Sequence, residues 1–367
     1  MKNIFKRIAL LLAAVLWIPM TGCSASGTPA LTYEQITVTD HMYAFWLSSC
    51  KSDFLRLYNN SQDTDEFWDT VLEDGQTVEA YALSLLRAQV SNYAIAAQMF
   101  KDYKLKISAE KTDEIEADIL EKIEYYGGRE ALNEYLGKMD INVDILKDIY
   151  IMEEKLQAVY EYLYGTNGAE AVTQTELDGY YRENYSRIQY ILIYTEAEYQ
   201  RDENGNLVSD SSGVYLTRDL SEEEKQQKQQ KLETIMTRLE NGEDFETVKA
   251  ECDEYAFDTS YYENGFYLSS NELNVYGYAM VTAAAQMQEG EIRRVDDSVC
   301  SYVIKKEPLI DLNDMPACDK ELLEDLETYC ITEKFQKKLQ SCYDRVAVDE
   351  EVISKYSIRE AYPNSLF

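Results

Sequence analysis

Apolar side chains occupy five consecutive positions, 190–194, in the order Tyr-Ile-Leu-Ile-Tyr. They lie inside the run 187–195, the densest stretch of β-forming residues in a chain whose other patterns are mostly helical. Because successive side chains of a strand point to opposite faces, this run makes both faces apolar, which is typical of a covered central strand. The pattern therefore predicts that residues 187–195 form the first strand of a small domain between two helical segments.

The segment before this strand has apolar residues at the three- and four-residue spacing of amphipathic helices. Thr173 and Glu176 form a capping box, which opens the last of these helices. The spacing predicts helices over residues 39–58, 77–100, 108–126, 130–136, 142–165 and 173–184. We therefore expect the N-terminal half of the chain to be all-helical, with short loops.

The segment after the strand alternates turns, helices and one further strand. Turn residues at 202–206 and 210–213 predict a hairpin excursion, and a second capping box at Ser221 opens a helix that ends near Gly242. A tyrosine-rich loop, a helix over 280–287 and a last strand over 301–305 follow. This order predicts a small α+β module.

The C-terminal segment has a helical apolar stripe over residues 319–343. A lone helix cannot bury such a stripe by itself. We therefore expect this helix to pack back on the N-terminal helical half, which makes the middle module an insertion.

The charge of the chain is strongly acidic. Its 367 residues include 35 basic and 68 acidic side chains, which gives a formal net charge of −33. Nucleic-acid binding needs clustered Lys and Arg, so we expect no nucleic-acid partner, and attraction to anionic lipid is disfavoured as well. The simplest interpretation is that the acidity keeps the protein soluble.

The N-terminus has the features of an export signal. Lys2, Lys6 and Arg7 precede a short apolar run at 8–18, and small residues precede Cys23. This arrangement resembles a bacterial lipoprotein signal, so we expect cleavage after residue 22, acylation of Cys23 and anchoring at the outer face of the cytoplasmic membrane. An ordinary secretory signal with an accidental cysteine is the alternative.

The sequence contains few residues of the types and spacings that hold a metal or cofactor. Its seven cysteines form no Cys-x-x-Cys pair and no cluster with histidine, so most are interpreted as small buried apolar residues. The single histidine, His41, is interpreted as a solvated or capping residue of the first helix. We therefore expect neither a metal nor a cofactor.

Three short motifs carry a family resemblance. Residues 239–245 read Leu-Glu-Asn-Gly-Glu-Asp-Phe, residues 290–292 read Gly-Glu-Ile before the last strand, and the first strand contains Tyr-Ile-Leu at 190–192. Their order and spacing resemble the lipoprotein foldases of the PrsA type and the periplasmic chaperone SurA. In that family a helical chaperone domain built from both chain ends holds a parvulin (PpiC-type) peptidyl-prolyl isomerase domain.

The resemblance implies an α+β fold: a mostly helical chaperone domain with an inserted four-stranded antiparallel sheet and its helices. The implied segments are a signal peptide at 1–22, a tether and short extended segment at 23–38, a helical domain at 39–184, a parvulin-like domain at 185–309 and a C-terminal helical segment at 310–367.

The family's site residues map onto altered positions in this sequence. Its two facing histidines correspond to Tyr190 on the first strand and Tyr302 on the last. Its acidic or thiol residue corresponds to Asp258 counting back from Gly265, or to Tyr255 counting forward from Phe245; Asp258 can equally be a loop residue that caps a turn. The implied substrate-binding residues are Phe266, Leu273 and Met280. Tyrosine hydroxyls can donate hydrogen bonds where histidines stood, yet so many changes imply weakened or absent isomerase activity.

Three functions follow as expectations. The first is an extracytoplasmic, lipid-anchored foldase or chaperone whose partners are unfolded or secreted polypeptides. The second is an active parvulin-type isomerase with a Tyr/Asp site, and the third is a surface lipoprotein that binds a solute or a wall component. The oligomeric state stays open. The aromatic residues of the loop region, expected to be exposed and to offer client contacts, are Tyr261, Tyr262, Phe266, Tyr267, Tyr276 and Tyr278.

Overall fold

The computed structural model describes residues 27–58, 62–72, 74–255, 257, 262, 264–269, 271, 277–321 and 323–366, without the side chain of Cys318. The chain divides into two compact units. The first contains the described residues up to Ala171 together with those from Lys334 onward, and the second contains Val172–Glu333. This division assigns more of the chain to the second unit than the predicted boundaries at 185 and 309 do.

The first unit is mainly helical. Its strands are β1 (Pro29–Tyr33), β2 (Ile36–Thr39) and β9 (Ala347–Val348). Its helices are α1 (Asp40–Tyr58), α2 (Asp65–Asp69), α3 (Val78–Asp102), α4 (Ala109–Tyr125), α5 (Arg129–Leu136), α6 (Val143–Tyr164) and the short α13 (Glu350–Ile353). None of the helices described here or below is both long and apolar enough to span a bilayer.

The C-terminal residues belong to this unit because a buried lysine holds them. Lys51 of α1 is 1% exposed, and its ammonium group donates to the backbone carbonyls of Arg359 and Ala361 at 2.6 and 3.0 Å. Asp63 lies 2.6 Å from the same nitrogen and neutralises its charge. Such a buried cation persists only where it is paired and hydrogen-bonded.

The short extended segment expected before the first helix forms two strands of a sheet that the sequence analysis did not predict. β1 pairs antiparallel with both β2 and β9, which makes a three-stranded sheet in the order β2-β1-β9. β9 contains only two residues, too short for a two-residue alternation to be visible in the sequence. The paired partner therefore comes from the far end of the chain and has no sequence signal of its own.

The second unit is built on a four-stranded antiparallel sheet. Its strands β3 (Tyr185–Tyr194), β6 (Phe266–Ser269), β7 (Ile292–Asp296) and β8 (Cys300–Glu307) lie in the order β6-β3-β8-β7. A hairpin of β4 (Ala197–Tyr199) and β5 (Thr217–Asp219) stands apart as a two-stranded ribbon. The helices are α7 (Gln174–Asn184), α8 (Glu222–Glu240), α9 (Phe245–Cys252), α10 (Tyr278–Gln286) and α11 (Ala317–Glu321).

Each face of the sheet has its own apolar core. Ile191 and Ile193 of β3 face α8 and α9, together with Val303 of β8. Alternate residues of the same strand point to the other side of the sheet, where they pack against α10 together with residues of β6. The predicted central strand covered on both faces is therefore confirmed, as is the α+β fold class.

The long C-terminal helix predicted over 319–343 is broken. The structure has α11 and then α12 (Leu326–Gln340). Asp319 of α11 is 2% exposed and accepts hydrogen bonds from Tyr267 Oη at 2.7 Å and Asn264 Nδ2 at 2.9 Å. These contacts tie α11 to the second unit, whereas Phe335 of α12 packs on Tyr164 of the first. The apolar residues predicted to form one stripe over 319–343 therefore contribute to two different units.

Candidate functional site

The two family histidine positions lie on one face of the sheet. β3 and β8 are antiparallel neighbours, with Tyr190 opposite Ile304 and Leu192 opposite Tyr302. Tyr190 and Tyr302 are thus a diagonal pair, two positions out of register, whose side chains point to the same side. The sequence-based mapping places the two residues on the right strands, and the structure brings their rings together.

The rings of this pair are in edge-to-face contact. Their centroids are 5.6 Å apart and their planes are perpendicular. Tyr190 is 7% exposed, while Tyr302 is half-buried at the edge of the same apolar cluster. An aromatic pair of this geometry stabilises the fold beyond the area that it buries.

Each phenol of the pair has another polar side chain beside it. The Tyr255 phenol is next to Tyr190, and the Cys300 thiol is next to Tyr302. Burial, followed by the neighbouring phenol of Tyr255, raises the pKa of Tyr190 far above its ordinary value. Burial and then the Cys300 thiol raise the pKa of Tyr302 as well. Both phenols are therefore protonated at neutral pH and can serve as donors, not as bases.

Two of the three predicted substrate-binding residues line the same face. Met280 of α10 and Phe266 of β6 are each 4% exposed and belong to the cluster that contains Tyr190. Leu273 lies outside the described residues. The Phe266 ring is covered on two sides, by Tyr190 at 4.6 Å and by Tyr262 at 4.2 Å between centroids.

The expected exposure of the loop aromatics holds for one residue and fails for two. Tyr278 is 66% exposed, whereas Phe266 and Tyr267 are buried in a strand that the sequence analysis took for loop. Tyr262 is half-buried against Phe266. Tyr261 and Tyr276 lie outside the described residues. The buried pair has opposite roles, since Phe266 fills the site face and Tyr267 donates to Asp319.

The acidic family position has two candidates, and the structure describes one of them. Asp258 lies outside the described residues, so its place at the site stays a prediction. Tyr255, the alternative from forward counting, packs edge-on against Tyr190 with centroids 6.0 Å apart. A tyrosine thus occupies this part of the site too.

Two carboxylates that the sequence analysis missed hold the Tyr255 segment against β3. Asp253 Oδ1 accepts from the backbone N–H of Leu192 at 2.8 Å, and Glu254 Oε2 accepts from that of Tyr194 at 3.1 Å. The Glu254 N–H donates to the Leu192 carbonyl at 2.9 Å. These hydrogen bonds satisfy backbone groups of β3 that lie beyond its pairing with β6. Two acidic residues after a helix give no sign of this role in the sequence.

Glu254 is also the centre of an ion-pair network. Its carboxylate lies 2.8 Å from the Lys228 ammonium and 2.7 Å from that of Lys231, both on α8. Burial by itself raises the pKa of Glu254, but the hydrogen bonds from the two lysines outweigh it and hold this pKa below the ordinary value. The carboxylate is therefore ionised at neutral pH and fixes the site segment to α8.

The remaining titratable candidates do not join this face. His41 lies in the first unit, where its Nδ1 is 3.0 Å from Asp140 Oδ2. Among the described residues, no group of three or more His, Cys, Asp or Glu side chains is arranged to hold a metal ion. The described cysteines outside disulfides include Cys50, Cys252, Cys300 and Cys342. The lipidation candidate Cys23 lies outside the described residues.

Comparison with known proteins gives matches among solved structures. The crystal structure of PrsA from Bacillus subtilis is 16% identical over 80% of this chain and 93% of its own, with a TM-score of 0.22. The foldase protein PrsA from Streptococcus pneumoniae is 13% identical over 78% and 93%, with a TM-score of 0.24. PrsA from Bacillus cereus, described as a peptidylprolyl isomerase, is 15% identical over 78% and 90%, with a TM-score of 0.28.

All three matched structures are PrsA proteins, the type that the three sequence motifs resemble. No protein-family model matches the chain, and no curated protein matches it. Because the TM-scores lie below 0.5, the matches carry no weight for the function, which has to rest on the geometry of the aromatic face.

Proposed function

We propose that this protein is a foldase or chaperone that binds unfolded polypeptide segments and has weak or absent peptidyl-prolyl isomerase activity. One observation carries the proposal. At the two histidine positions of the parvulin pattern stand Tyr190 and Tyr302, which share one apolar face with Phe266 and Met280. Tyr190 is buried in this face and Tyr302 is half-buried at its edge.

The chemistry of proline isomerisation explains why this observation weighs against catalysis. Rotation about an X-Pro bond crosses a barrier of about 18–20 kcal/mol, and no covalent bond is made or broken. A catalyst has to desolvate the proline and stabilise the twisted amide by donors that are preorganised toward it. Here Tyr190 and Phe266 fill the face with their own rings. A client carbonyl could reach the Tyr190 hydroxyl only past the rings of Tyr255 and Tyr302, which pack on it.

The same face is suited to holding apolar side chains. Tyrosine combines a flat apolar ring with a polar tip, which makes it frequent at protein interfaces. Tyr302 and Tyr255 are half-buried, so their edges reach the surface beside the buried core. Binding without catalysis needs no rearrangement of the buried Tyr190 ring.

An active isomerase with a tyrosine site is the second candidate. The observation that favours it is the position of both phenols, which are protonated donors on a single face of the sheet. Tyr302 is half-buried at the edge of the cluster, where its hydroxyl could donate to a client carbonyl.

Aggregation of a denatured client tests the client-binding proposal. Dilution of a chemically unfolded protein into buffer gives light scattering, and we expect an equimolar amount of this protein to suppress it by at least about half. An equal amount of serum albumin serves as the control for inert protein. Unchanged scattering would reject client binding and favour the third function, a lipoprotein that binds a solute or a wall component.

The membrane attachment is a separate proposal, supported by the basic, apolar and small residues before Cys23. Acyl chains on Cys23 would anchor the protein at the outer face of the cytoplasmic membrane. We predict that Cys23→Ser moves the protein from the membrane fraction to the soluble fraction and abolishes incorporation of labelled fatty acid. Cys252→Ser is the matched control and should stay membrane-bound. Retention of label in Cys23→Ser would contradict the proposal.

A further inference from the structure

The hairpin between β3 and α8 takes no part in the aromatic face, yet it covers a cavity of about 690 Å³. This volume lies in the range of about 300–1,000 Å³ that is usual for ligand sites. The cavity lies beside the C-terminal end of β3, and its lining includes Tyr194, Tyr199, Glu198, Arg201 and Lys228. Its walls are therefore both aromatic and charged.

A chain of ring contacts leads from the candidate site to this hairpin. Tyr255, which packs on Tyr190, has its ring 5.7 Å from that of Phe257. Phe257 in turn lies 5.3 Å from Tyr199 and 5.5 Å from Tyr215. Exposure rises along this series, from 7% at Tyr190 to 37% at Phe257 and 45% at Tyr215. A bound segment could thus run from one place to the other without leaving aromatic surface.

The charges of the cavity leave one cation uncompensated. Glu198 is paired with Arg218 and Lys228, and Glu254 is paired with Lys228 and Lys231. Arg201 has no carboxylate partner in the part of the chain that the structure describes; its guanidinium donates only to the Gly205 carbonyl, at 2.7 Å. In a protein of net charge −33, this lining complements an anionic group rather than a cationic one.

We propose that the hairpin cavity binds a client segment in which an acidic residue is next to an aromatic one. The carboxylate would pair with Arg201, and the ring would pack on Tyr199 of the cavity and on Phe257 and Tyr215, whose rings lie beside Tyr199. This inference rests on the proposed client-binding function and names the class of segment that the second unit prefers. The neighbouring carboxylates do not repel such a segment, since Lys228 and Arg218 neutralise them.

Fluorescence anisotropy with the mature full chain tests this preference. The probes are fluorescein-labelled peptides with two Asp-Phe pairs in a Gly/Ser background, and matched peptides with Lys-Phe or Asp-Ala pairs. At about 0.15 M salt the distant acidic surface is screened over about 8 Å, so the local Arg201 decides the difference. We expect the Asp-Phe peptide to bind about fivefold tighter than either of the other two.

Two variants and two matched controls connect the preference to the cavity. Arg201→Glu should abolish the preference for Asp-Phe over Lys-Phe, and Tyr215→Ser should weaken binding of the Asp-Phe peptide severalfold. Lys106→Glu makes the same charge change, and Tyr125→Ser the same ring loss, at exposed positions of the first unit; both should leave binding unchanged.

Equal or tighter binding of the Lys-Phe peptide by the unaltered protein would overturn the inference. An acidic preference that survives in Arg201→Glu would overturn it as well. If the protein suppresses client aggregation but shows no preference among the peptides, only this inference fails. If it neither suppresses aggregation nor binds any peptide, the proposed function fails with it.

Discussion

Replacement of Tyr190 by alanine is expected to lower the free energy of unfolding of the second unit by about 3–5 kcal/mol, the usual cost of removing a buried aromatic side chain. The Tyr190 ring is 7% exposed and contacts the rings of Phe266, Tyr302 and Tyr255. Its loss leaves a cavity on one face of the central strand, which the neighbouring backbone can close only in part.

Hydrogen exchange followed by mass spectrometry measures this effect unit by unit. We expect faster exchange in peptides from β3, β6 and β8, while the fluorescence of Trp46 and Trp68 reports an unchanged first unit. Tyr278→Ala, a 66% exposed tyrosine of the same unit, is the matched control and should change stability by less than about 0.5 kcal/mol. Equal protection of β3 in Tyr190→Ala and the unaltered protein would show that Tyr190 is not part of a packed core.

Replacement of Glu254 by leucine is expected to destabilise the second unit by about 2 kcal/mol at neutral pH. This is less than the ~3–5 kcal/mol for a fully buried pair, since water still reaches the network. The substitution leaves the Lys231 ammonium without its carboxylate and the Tyr194 N–H without its acceptor. Glu233→Leu, on the exposed face of α8, is the control and should have little effect.

The effect of Glu254→Leu should depend on pH in a defined direction. The folded protein holds the pKa of Glu254 below its ordinary value, which is about 4.3 in an unfolded chain. The stabilisation by the carboxylate is therefore complete above the unfolded pKa and is lost as the pH falls through the folded pKa. Urea unfolding should show the full difference between variant and unaltered protein at pH 7 and a smaller one near pH 3. A difference that grows toward low pH would contradict this assignment.

The central strand could be predicted because a strand that is buried on both faces consists of consecutive apolar residues. Residues 190–194 are all apolar or aromatic, and the structure covers them on one side with α8 and α9 and on the other with α10. A strand buried on one face shows only alternation, and a two-residue strand such as β9 shows nothing. The extended segment before the first helix was predicted, but the pairing of β1 with β9 was missed for that reason.

Two predictions failed for a similar reason: the loop expected at Phe266 and the long helix expected from Asp319. Contacts between residues distant in sequence decide the structure at both places. Asn264 and Gly265 read as a turn, so the four residues after them looked like exposed loop. In the structure these residues form β6, and Gly265 has a positive φ of 98° beside the Ile188 carbonyl. Asp319 is the first residue of the predicted C-terminal helix, and its partners Tyr267 and Asn264 are distant in sequence. Polar contacts of this kind leave no periodic signal.

The candidate site could be predicted at the positions that the family motifs cover. The resemblance placed Tyr190 on the first strand and Tyr302 on the last, and the structure brings their rings to 5.6 Å. The alternative mapping to Tyr255 also falls beside Tyr190, whereas the Cys300 thiol beside Tyr302 could not be predicted, because it depends on how the side chains pack. These neighbours decide how readily a client carbonyl reaches the two hydroxyls.

The central claim, that clients are bound without fast isomerisation, is tested most directly by a protease-coupled assay on a short proline peptide. Uncatalysed isomerisation takes tens of seconds or longer, so even modest catalysis is visible. At micromolar concentrations of a chain that suppresses client aggregation, we predict the uncatalysed rate. A rate increase proportional to protein concentration, and lost in Tyr302→Phe, would contradict the claim and establish a tyrosine-based isomerase.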